Sequence, residues 1–227
     1  MNWENLKADA LADELPSPYR TPSQARGAAK FERLLDATQA MIEERGIDDF
    51  SLADVAKRAE VATGSAYHFF PSLEAAFIAL VERFDRAFAD IVRKPIAKED
   101  ATSWQAIMAI HFENSREYIN ANPAALTLII GPGRSWQSKQ ADTLADSHIA
   151  SAMAESYRQH FVLPEHPPTN ELLLLGIRIL EGFWELSVQQ HGYVTEAFSE
   201  ETIKAVSAYF RLYWPEYLPT VEQAELS

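Results

Sequence analysis

The sequence predicts an all-α fold in which an N-terminal three-helix unit with a helix-turn-helix is joined by one long helix to a larger helical domain. Three observations carry this. Apolar residues recur at spacings of three and four along most of the 227 residues, the signature of helices with one buried face. No run shows the apolar–polar alternation of a half-buried strand. Breaks rich in proline and glycine, such as Asn122-Pro123, Gly131-Pro132-Gly133 and Pro164 to Pro168, separate the periodic runs. The expected division is a flexible tail over 1–24, the three-helix unit over 25–71, the larger domain over 72–215 and a polar tail over 216–227.

The first residues offer a short amphipathic pattern in Trp3, Leu6, Ala10 and Leu11, then break at Pro16, Pro18 and Pro22. They read as a mobile tail, or as an arm that lays Arg20 and Arg26 on a polyanion. A helix follows from about Ala28 to Arg45, with Phe31, Leu34, Leu35, Thr38, Met41 and Ile42 on one face and Gly46 as its stop. Ser51 then serves as an N-cap with Asp54 three residues on, a capping box. Leu52, Val55, Ala56 and Ala59 share the buried face of this second helix. After the turn at Glu60-Val61, the segment Ala62 to Phe70 begins with Thr63, Gly64, Ser65 and Ala66 and continues with Tyr67, His68, Phe69 and Phe70. A helix whose first turn is small and hydrogen-bonding, and whose back is aromatic, suits close approach to base edges in a DNA major groove.

From Ser72 a long stripe of Phe77, Leu80, Val81, Phe84, Phe88 and Ile91 runs to about Arg93, long enough to connect a reading head to a second domain. Further helices are expected from about Thr102 to Asn120, over a short apolar stretch at Ala124 to Ile130, from about Ser138 to Phe161, from Glu171 to Gln190 with Gly192 as C-cap, and from Ser199 to Trp214.

The residues Asp54-Val55-Ala56, Ala59-Glu60-Val61-Ala62, Gly64-Ser65-Ala66-Tyr67-His68-Phe69-Phe70 and Pro71-Ser72-Leu73-Glu74 resemble, in register, the helix-turn-helix of the tetracycline-repressor (TetR) family of bacterial regulators. The resemblance runs from about Leu34 to Leu80. It departs from the family pattern at three places: Glu60 stands for the turn glycine, Ala62 for the Ser/Thr cap, and Leu73 for a phosphate-contacting lysine. Glu60 is therefore expected to take an unfavourable backbone angle, and Thr63 to cap the third helix one residue late. The resemblance implies a cytoplasmic, homodimeric transcriptional regulator, most often a repressor, that binds a palindromic double-stranded DNA operator and is released by a small-molecule inducer. The DNA-binding residues it implies are Arg26, Ser51, Ala62, Thr63, Ser65, Ala66, Tyr67 and His68.

Net charge is −13, which by itself opposes binding to a polyanion. The excess is confined: residues 20–94 carry a net −1 and the remainder −12. No cysteine is present, which excludes disulfides and thiolate metal sites and suits a reducing compartment. No run approaches the roughly 18 apolar residues of a membrane span, so no membrane partner is expected. The six histidines show no metal-ligand spacing, and Gly131-Pro132-Gly133-Arg134-Ser135 lacks the ending of a phosphate-binding loop. Neither a metal nor a cofactor is expected, and no catalytic constellation is evident.

In the larger domain, Trp104, Met108, His111, Phe112, Tyr118, Trp136, His148, Phe183 and Trp184 either fill core or line an apolar pocket with a few polar groups; the resemblance favours the pocket. The run Leu172 to Leu175 with Ile177, Ile179, Leu180 and Phe183 is apolar almost all round, so it must cover two surfaces. Leu173, Gly176, Ile177 and Leu180, with Phe210 on the last helix, are the expected dimer face, Gly176 and Gly182 allowing close approach. Two other function classes remain: a helix-turn-helix interaction module without DNA binding, and an all-helical enzyme using His111 with Glu113 or Glu117.

Overall fold

The computed structural model describes Trp3, residues 17–131 and residues 136–225, the side chains of 136–145 and 225 excepted. Helix α1 (Ala25–Arg45) buries Phe31, Leu34, Leu35, Thr38, Met41 and Ile42, and stops at Gly46, whose φ of 77° only a residue without a Cβ adopts freely. Helix α2 (Leu52–Arg58) opens on the expected capping box: the Ser51 hydroxyl accepts from the Asp54 amide, and the Asp54 carboxylate accepts from the Ser51 amide at 2.9 Å. Helix α3 (Thr63–Phe69) follows a turn in which Glu60 sits at φ 52°. The strained angle expected at Glu60 is present. The expected cap at Thr63 is not: Ala62 occupies the cap position and Thr63 is already helical, so no side chain closes this helix start.

Helix α4 (Leu73–Val92) is capped by Ser72, whose hydroxyl accepts from Ala75 N at 3.1 Å. It is buried on more than one side because it packs on α1 behind it and on the larger domain ahead. That domain comprises α5 (Trp104–Ala121), the single turn α6 (Pro123–Ala125) running into a π-helical turn at Leu126–Ile130, then α7 (Trp136–Arg158), α8 (Thr169–His191) and α9 (Glu196–Phe210). A last short helix, α10, spans Val221–Glu225. Gly192 ends α8 at φ 81°, as expected. α7 lies along both α4 and α8, α8 packs on α9, and α6 touches α1, so the larger domain contacts the N-terminal unit at a second place besides α4.

The centre of the larger domain is aromatic. Trp104, Tyr157, Phe210 and Trp214 are all essentially inaccessible, and the rings of Tyr157 and Phe210 stand 5.4 Å and 5.3 Å from Trp214. Trp104 also donates its indole N–H to Pro215 O at 2.9 Å.

Both expected tails are in part tied down. Of the first, residues 17–24 lie against the N-terminal unit: Tyr19 packs between Phe31 and Phe70, and the Arg20 amide donates to Phe69 O at 2.9 Å. The amphipathic pattern from Leu6 to Leu11 lies outside the described residues, while Trp3 meets the Tyr213 ring edge-on at 5.4 Å. At the other end, Leu218 inserts into the core, Val162 N donates to Pro219 O at 2.8 Å, and Val221 N to His160 O at 3.1 Å. One apolar side chain in a polar stretch is enough to hold that segment once the backbone finds partners.

Candidate nucleic-acid interface and ligand cavity

α3 presents two sides. Ala66, Phe69 and Phe70 are buried against the N-terminal core, while Thr63, Gly64, Tyr67 and His68 face out and Ser65 is half-buried. Tyr67 keeps 48% of its surface exposed, which for a large ring on a helix start leaves both face and hydroxyl available. Ala66, expected among the DNA-binding residues, is fully buried: it precedes Phe69 by one turn and shares its inward side. Ser51 is exposed, but its hydroxyl is committed to the capping box, donating to Asp54 Oδ2 at 2.6 Å. Ala62 and Arg26 are exposed.

Sequence reasoning placed Arg20 on an arm and did not connect it with α3. The backbone bond to Phe69 carries it there, and its guanidinium lies 3.4 Å from His68 Nδ1. The cationic complement of this face is thin. Arg58 is held by Glu44 through two hydrogen bonds of 2.5 and 2.6 Å, which keeps the Glu44 carboxyl below the usual carboxylate range. Lys57, Arg26 and Arg20 remain exposed.

A cavity of about 60 Å³ lies between α4, α5, the π turn, α7 and α8, several times the roughly 10–15 Å³ that one water requires. Its walls are mainly apolar, from Phe88, Ile119, Ile129, Met153, Ile177 and Leu180. Polar groups interrupt them at Asp85, His111, Ser115, Asp146, Glu181 and Trp184. His111 is 2% exposed with Nε2 3.0 Å from Ser156 Oγ, and burial pulls its pKa down to about 4, so the imidazole is neutral at physiological pH. Arg178 links two of the acids, lying 2.6 Å from Asp146 Oδ2 and 2.6 Å from Glu181 Oε2.

Of the expected ligand-binding residues, the cavity gathers His111, Phe112 and Trp184. Trp104 and Met108 are at 0% exposure in the core; the Trp104 indole is spent on Pro215 O, so the packing default holds there. Tyr118 stacks edge-on against Phe88 at 4.8 Å, one layer behind the wall. Phe183 is half-buried and His148 exposed, both off the lining, and the Trp136 side chain lies outside the described residues.

The residues expected to form a dimer face sit inside one protomer. Leu173 and Phe210 are at 0% and 1% exposure, Ile177 and Leu180 line the cavity, and a Cβ on Gly176 would stand 2.7 Å from Phe210 Cζ. The close approach at Gly176 is thus between α8 and α9 of the same chain. Gly182, by contrast, is exposed with open space beside it.

The acids of the cavity were missed. Asp85 carried a legible signal, since it falls four after Val81 and three before Phe88, on the buried side of α4. Asp146 and Arg178 are 32 positions apart, and nothing local announces their pairing. The enzyme alternative needs His111 beside an acid; the structure sets His111 against Ser156 and Glu113 against Arg116, whose Nε donates at 2.8 Å.

Comparison with known proteins agrees with this geometry. Residues 34–80, covering most of α1 through the start of α4, match the family described as bacterial regulatory proteins, tetR family. The chain is 24% identical over 165 residues to the HTH-type transcriptional regulator EthR of Mycobacterium tuberculosis, covering 70% of this chain and 74% of that one. Its fold resembles a TetR-family transcriptional regulator from Streptomyces coelicolor, with a TM-score of 0.61, 20% identity, and coverage of 83% and 99% of the two chains. It also resembles the Thermus thermophilus repressor FadR, solved with lauroyl-CoA, with a TM-score of 0.58, 16% identity, and coverage of 78% and 93%. Residues 34–80 thus match, in register, the helix-turn-helix of the tetR family of bacterial regulatory proteins, and the all-helical architecture resembles that of tetR-family regulators along most of the chain.

Proposed function

We propose that two copies of this chain bind a palindromic operator as a repressor, and that a small apolar or amphipathic molecule entering the cavity lowers operator affinity. The observation that carries the reading is the two-sidedness of α3: an exposed start of Thr63, Gly64, Tyr67 and His68 on an aromatic anchor of Phe69 and Phe70. Two such helices in a dimer would meet major grooves about 34–36 Å apart. α4 packs on α1, which in turn contacts α3, and it forms the cavity wall through Asp85, Phe88 and Val92. A ligand that favours one setting of α4 therefore biases the reading head, and a coupling of about 1–3 kcal/mol changes affinity roughly 5- to 150-fold. The lauroyl-CoA complex of the Thermus protein supports a ligand-holding role for the domain that shares its fold.

The dimer face falls to the outward sides of the last two long helices. On α8 these carry Leu175, Ile179, Gly182 and Leu186, the last 45% exposed, and on α9 Ala205 and Ala208, with Leu212, 72% exposed, in the turn that follows α9. Small and apolar residues along an exposed helix side suit helix-on-helix pairing.

Genomic fragments captured by the purified protein should share a palindrome, with protection over two half-sites. Tyr67→Ala should weaken binding to it about tenfold, within the roughly 1–3 kcal/mol of a good groove contact. Unchanged affinity and footprint would remove Tyr67 from the interface, and the absence of any enriched palindrome would overturn the repressor reading.

A further inference from the structure

Three aromatic side chains bury a hydrogen-bond donor that has no acceptor among the described residues: Tyr157, Trp184 and Trp214. Only Trp184 lines the cavity, and it is 2% exposed. A buried N–H without a partner is costly, and the cost is recovered by whatever brings an acceptor to it. The rest of the lining restricts what that acceptor is. No lysine or arginine stands among the described lining residues, whereas three carboxylates do, Asp85, Asp146 and Glu181. The nearby Arg178 is already gripped by two of them. His111 is neutral and its Nε2 is engaged by Ser156. An anion entering here meets these carboxylates and no lysine or arginine among the described lining residues.

We infer that the cavity takes an uncharged, largely apolar molecule bearing a carbonyl or ether oxygen, and that the Trp184 indole N–H donates to that oxygen. The inference rests on the ligand-responsive reading of the cavity proposed above. It assigns Trp184 as the specificity-determining residue and sets the ligand class as ketone, ester, amide or ether, with the free acid excluded. Phe88, Ile119, Met153 and Leu180 supply the apolar contact that any occupant of the cavity shares, so they do not distinguish an oxygenated ligand from a hydrocarbon.

The test uses full-length protein labelled with ¹⁵N at its five tryptophans and three small probes, cyclopentanone, cyclopentane and butyrate, at pH 7.5. Cyclopentanone should move the Trp184 indole proton downfield, the signal being assigned by its loss in Trp184→Phe, while cyclopentane binds without that shift. The ratio of ketone to hydrocarbon affinity should fall about 2- to 10-fold in Trp184→Phe, the range of one net hydrogen bond. Butyrate should bind at least tenfold more weakly than cyclopentanone. Should the variant fail to fold, the downfield shift in the wild-type protein decides alone. Cyclopentane binding with no downfield Trp184 shift from the ketone overturns the inference and leaves the cavity reading standing, as does butyrate binding equal to the ketone. No binding by any probe, with operator binding intact, overturns the inference and the cavity reading together.

Discussion

The Tyr19 hydroxyl donates to the carboxylate of Glu82 on α4, and beside it Arg83 reaches the other way, donating to Asp36 Oδ1 and Gln39 Oε1 of α1 at 2.7 Å each. Two consecutive residues of the long helix thus hold the N-terminal unit from two sides. Tyr19→Phe keeps the ring against Phe31 and Phe70 and removes one hydrogen bond; urea unfolding should show a loss of about 1 kcal/mol. Tyr19→Ala removes the ring as well and should cost about 3 kcal/mol. The phenylalanine variant should also bind operator more weakly, because Tyr19 immediately precedes the Arg20 that reaches α3; unchanged operator affinity would separate the latch from DNA binding.

Glu60 sits at φ 52°, where a Cβ crowds the following carbonyl. Glu60→Gly relieves that contact and gives back part of the gain as unfolded-state entropy. A net stabilisation of about 1 kcal/mol is expected by chemical denaturation, and a destabilised variant would show that the glutamate side chain contributes more than the angle costs.

Gly176→Ala has the opposite sign. Its Cβ would stand 2.7 Å and 3.0 Å from Phe210 ring atoms and 3.3 Å from Val206 Cγ1. The Phe210 ring is backed by Trp104 and Trp214 and cannot retreat. Overpacking of this kind costs about 1–3 kcal/mol, read as a drop in Tm, and the variant's oligomeric state should match the wild type's because the position is internal.

His111 gives the fold a pH dependence. Its pKa is about 4 when folded against about 6.5 unfolded, so between those values the unfolded chain binds the extra proton. Its share of stability is therefore complete above about pH 6.5 and is lost as the pH falls toward 4, up to about 3 kcal/mol. Denaturation midpoints at pH 7.5, 6 and 5 should fall in that order, and His111→Gln should flatten the slope.

The N-terminal unit was legible because its determinants are local. The Ser51–Asp54 cap, the stripe of α1, the stop at Gly46 and the strained turn at Glu60 are each written within four residues of where they act. Orientation within the larger domain was not legible. A helix apolar nearly all round, like α8, does not say which side meets its own chain, so Leu173 and Gly176 read as outward although they face Phe210 and the core. Composition equally cannot separate a tryptophan that closes the core, Trp104, from one that lines a cavity, Trp184. For the cavity acids, the deciding contact joins distant helices, and only the turn of α4 that carries Asp85 hinted at it.

The π turn at Leu126–Ile130 ends on the cavity wall at Ile129 and Ile130 and begins at the α6 turn that touches α1. Such a turn carries one residue more than the α-helical ladder it interrupts. A residue cannot be surrendered in part: winding this turn back to α geometry would advance the chain by one whole position, about 100° of rotation and 1.5 Å of rise. Between cavity and reading head, then, any rewinding of this turn comes in whole residues, with no intermediate setting.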